Sequence, residues 1–392
     1  MIIHFRSPAP AATVRRAILV LAVVFGVFAT VGWTAVRGDP DGVSPREAAL
    51  AAWQHAGLPD PMGSPAATAH WFAGLGVVRA TWLADQHPLV VGNLDGAPVA
   101  LRYRANRRAI GDELAAERAQ LRAGTLAPAG RRQIAERVAV LTALHRPERQ
   151  VLAFDPTGRG QVAEVRGDLG HAARVAIVVP GVDTKLSNYR RFASDDKPGY
   201  IAPAGMADSL YAQLRTTGAE RRTAVIAWAD YAAPAGIGVE AATGIPAEEG
   251  ARRLTRLVSA LPGASRTALI CHSYGSVVCG LAAPGLPARV TDIAVAGSPG
   301  MRAENVGALR TGARVWATRA AGDWIEDVPH FELAGLGHGA DPVSDGFGAR
   351  VFDAGTARGH TEYFRPGTAS LRMFAAIAAG GVRSAVSDAR ST

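Results

Sequence analysis

The chain has few cysteines and few lysines, and it contains no internal repeat and no low-complexity tract. Cys271 and Cys279 are its two cysteines, too few for a disulfide scaffold, so a hydrophobic core must hold the fold. The net charge of +8 is almost entirely arginine, since Lys185 and Lys197 are the two lysines. The arginines are scattered and no nucleic-acid-binding motif accompanies them, which argues against nucleic acid as a partner. With 48% hydrophobic and 19% charged residues, the composition is that of a globular protein.

Charged residues are also absent from 17–36, an apolar segment of the length that spans a bilayer core. Arginines precede it and the first acid, Asp39, follows it, so the positive-inside rule places 1–16 in the cytoplasm. Trp33 lies near the far end, where an interfacial aromatic is expected. We predict a single-pass transmembrane anchor of the cell membrane and an extracytoplasmic main domain. A cleaved signal peptide is the alternative, although no clean small-x-small site follows the apolar run, and it exports the domain as well.

A polar linker, 37–43, separates the apolar segment from a helical N-terminal region, 44–147. The run Ser44-Pro45-Arg46-Glu47 reads as a capping box with proline at the first helical position. Amphipathic patterns predict further helices over 98–123 and 131–144.

The pattern changes after Pro147, because short β-rich runs then alternate with amphipathic helices through 148–382. The predicted strands are 151–155, 161–165, 174–181, 223–229, 267–273, 291–298, 313–319 and 349–354. The predicted helices are 204–217, 246–261, 274–284 and 367–379. This alternation predicts an α/β fold with a mainly parallel sheet covered by helices on both faces. The last residues, 383–392, are predicted to form a flexible tail.

Ser273 lies in Cys271-His272-Ser273-Tyr274-Gly275, between a β-rich run and a helical run. A nucleophilic serine at a strand-to-helix turn needs small residues two positions before and two after it. Gly275 meets this requirement, and Cys271 stands where glycine is usual. A helix that begins behind the serine also offers backbone N–H groups to a developing oxyanion. The pattern predicts a nucleophile elbow with Ser273 as the nucleophile; an ordinary buried serine in a βα turn is the alternative.

The chain order expected after such a serine is an acid and then a histidine. Asp323 directly follows a predicted strand and is the predicted orienting acid, with Glu326 and Asp327 as its competitors. His360 follows the last predicted strand, where a general base that faces the elbow is expected.

Other histidines fit that role less well. His330 and His338 precede the last predicted strand. His338 and Asp341 have the spacing of a metal-ligand pair, but no further cluster supports a metal site, so no metal is predicted. His272 is adjacent to the serine on a strand and must point to the opposite face, so we expect it to pack or hydrogen-bond beneath the elbow.

The second oxyanion donor should come from the loop that follows 174–181. The N–H of Val182 is the candidate, with the N–H of Tyr274 as its partner, although the loop also reads as a simple glycine turn. Cys279 lies in the helix that packs back on the strand ending near Cys271. A disulfide between the two and a pair of buried free thiols both remain open.

Six further runs are distinctive: GNLDGAPVALRYRANR, IVVPGVDT, CHSYGSVVCGLAA, AVAGSPGM, GHGADP and GHTEYF. In these runs the sequence resembles a family of actinobacterial α/β hydrolases, mostly of uncharacterised function. The resemblance covers roughly 75–380. It implies the α/β-hydrolase fold and a catalytic triad of Ser273, Asp323 and His360, in agreement with the positional argument, but it implies no particular substrate.

These observations predict an extracytoplasmic serine hydrolase, esterase- or lipase-like, that acts through an acyl-enzyme. Its expected substrate is a small-molecule or lipid ester, and no cofactor is implied. Two alternatives stay open. One is an envelope acyltransferase with the same triad, in which an alcohol replaces water as the acceptor. The other is a hydrolase fold used as a non-catalytic binding module.

Overall fold

The computed structural model describes residues 43–60, 63–192, 197–330, 332–333 and 336–381. The predicted anchor 17–36 and the predicted tail 383–392 lie outside these residues. Within the described ranges, no helix is both long enough and apolar enough to cross a bilayer.

Eight strands of the described chain form one sheet. They are β1 (Gln150–Asp155), β2 (Gln161–Arg166), β3 (Arg174–Val179), β4 (Thr223–Ala229), β5 (Arg266–His272), β6 (Val290–Ala296), β7 (Arg314–Thr318) and β10 (Arg350–Val351). Their spatial order in the sheet is β1-β2-β4-β3-β5-β6-β7-β10. β2 pairs antiparallel with β1 and β4, and the other neighbours are parallel. This confirms the predicted mainly parallel sheet.

Two strand predictions need correction. The run 349–354 was predicted as one strand, but β10 ends at Val351 because the chain turns at Asp353, whose carboxylate accepts from the Gly355 N–H at 2.7 Å. A short hairpin, β8 (Glu332–Leu333) and β9 (Leu336–Gly337), was not predicted and forms a separate two-stranded sheet. Two-residue strands have too few positions to show an alternating pattern.

Helices cover both faces of the sheet. They are α1 (Pro45–His55), α2 (Pro65–Gly74), α3 (Val77–Gln86), α4 (Pro88–Val91), α5 (Val99–Ala123), α6 (Pro128–Leu144), α7 (Pro203–Arg215), α8 (Val239–Thr243), α9 (Ile245–Ser259), α10 (Gly275–Ala282) and α11 (Ala369–Ala379). The core on one face includes residues of α9 and α10, and the core on the other includes residues of α5, α6, α7 and α11.

The predicted helical region begins with the expected capping box. The Glu47 N–H donates to Ser44 Oγ at 3.2 Å, and the Ser44 N–H donates to Glu47 Oε2 at 2.9 Å. Its last two helices bury Ile110 and Leu141 in the same cluster as Phe154 of β1. The helical region and the sheet therefore share a core, and residues from Val43 onward form one compact unit.

The run GNLDG caps the edge of the sheet. The side chain of Asn93 exchanges two hydrogen bonds with the backbone of Phe154 in the edge strand β1, at 2.8 and 3.0 Å. Asn106 donates to the carbonyls of Gly92 and Val151 at 2.9 and 3.0 Å. A Cβ on Gly92 would lie 2.0 Å from Asn106 Oδ1, so only glycine fits there. These amides satisfy backbone groups that an edge strand would otherwise leave open.

Candidate active site

Ser273 occupies a tight turn between β5 and α10. Its φ of 55° lies in the left-handed region, which is uncommon for a residue with a side chain and occurs at functional sites. The Ser273 N–H donates to the Ala296 carbonyl at 2.9 Å and fixes the turn to β6. A Cβ on Gly275 would lie 2.3 Å from the Val179 carbonyl oxygen, which explains the glycine two positions after the serine. The predicted strand-to-helix elbow is present.

A hydrogen-bond chain joins the three residues predicted to form a triad. His360 Nε2 lies 2.8 Å from Ser273 Oγ, and His360 Nδ1 lies 2.8 Å from Asp323 Oδ1. An ionised carboxylate can only accept, so Nδ1 carries the proton and Nε2 is left to accept from the serine hydroxyl. The three groups are separated widely in sequence, and the ends of β5 and β7 and the loop after β10 bring them together.

The electrostatics keep Asp323 in its ionised form. Burial would raise the pKa of this carboxyl, but hydrogen bonds from His360, from the Tyr363 hydroxyl and from the Ile325 N–H outweigh burial and hold the pKa below its usual value. The competitors Glu326 and Asp327 are exposed on the following turn. Asp323 is therefore the acid that the fold directs at His360.

Tyr363 was not singled out from the sequence, although it lies in the run GHTEYF. Its hydroxyl donates to Asp323 Oδ2 and accepts from the Ala320 N–H at 2.9 Å. Burial and the Asp323 carboxylate raise the pKa of Tyr363, so the hydroxyl keeps its proton. Tyr363 thus holds the second oxygen of Asp323 while the first faces His360.

His272 lies beneath the elbow, as predicted. Burial and the nearby His360 lower the pKa of His272 to about 3, so its ring is neutral at neutral pH. Its Nε2 lies 2.7 Å from the His360 carbonyl oxygen, which can only accept, so Nε2 carries the ring proton. The ring therefore tethers the backbone of the histidine that faces Ser273.

The loop after β3 meets the elbow at the position expected for an oxyanion hole. A Cβ on Gly181 would lie 2.9 Å from Ser273 Oγ and 3.2 Å from the Tyr274 nitrogen. Within the described chain, neither the Val182 N–H nor the Tyr274 N–H donates to another backbone group. Both predicted donors are thus available beside the serine, and the absent side chain of Gly181 leaves the space between them open.

Replacing Gly181 with alanine should lower kcat at least a hundredfold. The φ of Gly181 lies outside the left-handed region, so alanine fits the backbone, but its methyl group would occupy the space beside Ser273 Oγ. Loss of one oxyanion donor alone costs roughly 10²–10³ in kcat. Gly199→Ala is the matched control, since a Cβ there meets nothing within 4 Å. Steady-state kinetics of both variants measure kcat, with urea unfolding as a check on the fold. A kcat of Gly181→Ala within a few-fold of the wild-type value would contradict the placement of the oxyanion hole beside Gly181.

The other histidines lie apart from the hydrogen-bond chain. His330 Nδ1 lies 3.1 Å from the Pro299 carbonyl oxygen, and the His338 ring packs edge-on against Tyr274 with centroids 5.7 Å apart. Asp341 pairs with Arg319 at 2.6 Å, and among the described residues no cluster of three metal-ligating side chains occurs. His338 and Asp341, which have the spacing of a metal-ligand pair, each contact a different protein side chain: His338 contacts Tyr274 and Asp341 contacts Arg319.

Two buried histidines should make the fold sensitive to acid. Burial lowers the pKa of His272 to about 3 and that of His338 to about 4, against about 6.5 in an unfolded chain. Below about pH 6.5 the unfolded state binds more protons than the folded state. The stability that the two neutral histidines contribute is therefore fully present above that pH and is lost as the pH falls towards their pKa values in the folded state. Each histidine contributes a slope of up to about 1.4 kcal/mol per pH unit.

Urea unfolding of wild type and His338→Gln between pH 7 and pH 4 measures this contribution. We expect the loss of stability on acidification to be smaller in the variant. His70→Gln, at an exposed histidine, should reproduce the wild-type slope. If the free energy of unfolding falls equally with pH in wild type and His338→Gln, His338 does not cause the acid sensitivity.

Cys271 and Cys279 form a disulfide, with their Cα atoms 6.6 Å apart. This settles the alternative that the sequence left open. The bond joins the last part of β5 to α10 and encloses Ser273, and both cysteines are buried. The strand and the helix on either side of the serine are therefore covalently tied.

Residues 155–333 match the model of a family described as alpha/beta hydrolase. Two uncharacterised proteins of Mycobacterium tuberculosis, one each from strains CDC 1551 and H37Rv, are 26% identical to the chain over 388 residues. These alignments cover 84% of this chain and 58% of each relative, so the chain spans less than two thirds of their length.

The chain is also similar to solved structures, at lower sequence identity. An α/β serine hydrolase without a lid from Xanthomonas campestris is 14% identical, with a TM-score of 0.36 over 61% of this chain and 95% of that chain. A dienelactone hydrolase from Anabaena variabilis is also 14% identical, with a TM-score of 0.36 over 61% of this chain and 98% of that chain. The strand order, the turn at Ser273 and the family match over 155–333 together show that the chain has the α/β-hydrolase fold.

Proposed function

We propose that the chain is a serine hydrolase that cleaves carboxylic esters through an acyl-enzyme. The observation that carries this proposal is the unbroken hydrogen-bond chain from Asp323 through His360 to Ser273 Oγ. A serine activated by a histidine, which is in turn oriented by a carboxylate, is the arrangement that nucleophilic catalysis of acyl transfer requires.

The geometry supports a two-step mechanism. Ser273 Oγ attacks the ester carbonyl carbon while His360 Nε2 takes the hydroxyl proton, and the Val182 and Tyr274 N–H groups stabilise the resulting oxyanion. His360 then gives its proton to the leaving alkoxide, and the ester C–O bond breaks to leave an acyl-serine. In the second step His360 takes a proton from water, the hydroxide attacks the acyl carbon, and Ser273 recovers its proton as the carboxylic acid leaves.

Exposed apolar side chains around this site favour a substrate with an apolar acyl or alcohol group. Trp324 is 41% exposed and packs on the His360 ring with centroids 4.6 Å apart. Ile237, 71% exposed, lies in the loop after β4, which is bonded to the Val182 loop because the Asp183 N–H donates to the Pro234 carbonyl at 2.9 Å. Apolar surface that faces solvent beside a polar site commonly serves a ligand.

A fluorophosphonate probe tests the proposal. It should label the wild-type serine and fail to label Ser273→Ala, whereas the exposed-serine control Ser259→Ala should label like wild type. A series of p-nitrophenyl esters should show kcat/KM rising from acetyl to longer acyl chains, and this rise should be smaller in Trp324→Ser. Product analysis in the presence of an added alcohol distinguishes hydrolysis, which yields the acid, from acyl transfer, which yields a new ester. Equal labelling of wild type and Ser273→Ala would refute the proposal.

We also propose that this domain works outside the cytoplasm, tethered by 17–36. The arginines before that segment support this orientation, and the Cys271–Cys279 disulfide is of the kind that persists in an oxidising compartment. Protease added to spheroplasts should degrade the domain. Its protection would contradict export, and recovery of full-length activity in the soluble fraction would contradict the tether.

A further inference from the structure

Arginines lie at the amino ends of the central strands, on the opposite side of the sheet from the carboxyl ends that carry the candidate active site. Ser273, Asp323 and His360 follow the carboxyl ends of their strands, whereas β3, β5 and β7 each begin with arginine at their amino ends. These three arginines line a cavity of about 560 Å³. They are Arg174, Arg266 and Arg314. Leu286, Pro287, Thr291 and Gly380 complete much of its wall.

One of the three guanidinium groups is neutralised within the protein. Arg314 makes two hydrogen bonds to Asp292 of the adjacent strand, at 2.8 and 2.9 Å. Asp292 is fully buried and also accepts from Trp316 Nε1 at 2.8 Å. This carboxylate is therefore committed to Arg314 and Trp316.

The other two arginines lie side by side. Arg174 and Arg266 are direct partners in the register of β3 and β5, so their side chains leave the sheet on the same face. Within the described part of the chain, neither has a carboxylate within ion-pair distance. Like charges directly opposite each other destabilise a sheet, and an anion bound between them removes that cost.

The electrostatics of Arg174 support the same conclusion. Burial lowers its pKa, and so do the positive charges of Arg266, Arg222 and Arg314, which together outweigh the opposing effect of Asp292. The cavity thus holds positive charge in excess of the acid that faces it.

We propose that this cavity binds a phosphate group between Arg174 and Arg266. Guanidinium groups are planar forks that bind phosphate oxygens in pairs, and two such forks on neighbouring strands match a tetrahedral oxyanion. The volume admits a group larger than inorganic phosphate, so the phosphate is either free or the head of an anionic lipid. The site is separate from Ser273 and does not depend on the proposed esterase activity.

Equilibrium dialysis of the full chain with labelled inorganic phosphate tests the first source. Co-sedimentation with phosphatidylcholine vesicles, with and without phosphatidic acid, tests the second, and its readout is the gain in binding that phosphatidic acid produces. Arg174→Gln/Arg266→Gln should weaken whichever interaction occurs about tenfold or more. Arg131→Gln, an exposed arginine on α6, is the matched control and should bind like wild type.

Phosphate binding alone identifies a soluble ligand, and a preference for anionic vesicles identifies a lipid headgroup; both results support the site. Thermal melting checks the fold of the double variant. If the double variant is unfolded, the single variant Arg266→Gln is used in its place, because Arg266 is exposed and its replacement should leave the fold intact. Absence of phosphate binding together with equal binding to both vesicles overturns the proposal. So does equal binding by wild type and the arginine variants.

Discussion

Replacing Ser273 with alanine should lower kcat for a short p-nitrophenyl ester by several powers of ten. The change removes the atom that forms the acyl-enzyme and leaves the oxyanion donors and the binding surface in place, so a residual rate above that in water should persist. The fold should survive, because the Ser273 N–H bond to Ala296 that fixes the turn is a backbone interaction. Alanine still has to adopt the φ of 55° at this position, so a modest loss of stability is expected.

Steady-state kinetics of purified wild type and Ser273→Ala measure the effect, with near-identical circular dichroism as the check on folding. Ser259→Ala is the matched control, since Ser259 is exposed on α9 and its hydroxyl bonds to the Thr255 carbonyl at 2.8 Å. Turnover by Ser273→Ala close to that of wild type would remove Ser273 as the nucleophile and, with it, the proposed acyl-enzyme.

Much of the sheet was predictable from the sequence because its central strands are buried on both faces. β4 is the clearest case, since all seven of its residues are buried and read as one apolar run, 223–229. The strand order was not predictable, because it depends on which neighbours pair and not on any local pattern. The two-residue strands β8 and β9 gave no signal, and 349–354 was predicted too long because an apolar run does not show where pairing stops.

The candidate site was predictable in its chain order and not in its supporting contacts. Asp323 and His360 could be chosen because each follows a predicted strand in the expected sequence. The choice of Asp323 over Glu326 depends on burial, which the local sequence does not show. Tyr363 and His272 act through hydrogen bonds to Asp323 and to the His360 carbonyl, and such long-range partners appear only in the fold.

Replacing His360 with alanine should lower kcat by about as much as the loss of Ser273 and far more than His330→Ala or His338→Ala. His360 Nε2, at 2.8 Å from Ser273 Oγ, is the group placed to take the serine proton. His330 contacts the Pro299 carbonyl and His338 packs on Tyr274, so their replacement should affect stability more than the chemical step. The three variants are compared by kcat at pH 7, with urea unfolding measured in parallel.

The double variant Ser273→Ala/His360→Ala separates a shared role from two independent ones. Residues that act as one unit in catalysis are strongly non-additive, so the double variant should be hardly slower than either single variant. Additive losses would mean that His360 acts on something other than the Ser273 hydroxyl. If His338→Ala were the slowest of the three histidine variants, the base would lie in the loop before β10, and the hydrogen bond from His360 to Ser273 would not be the one that carries the proton.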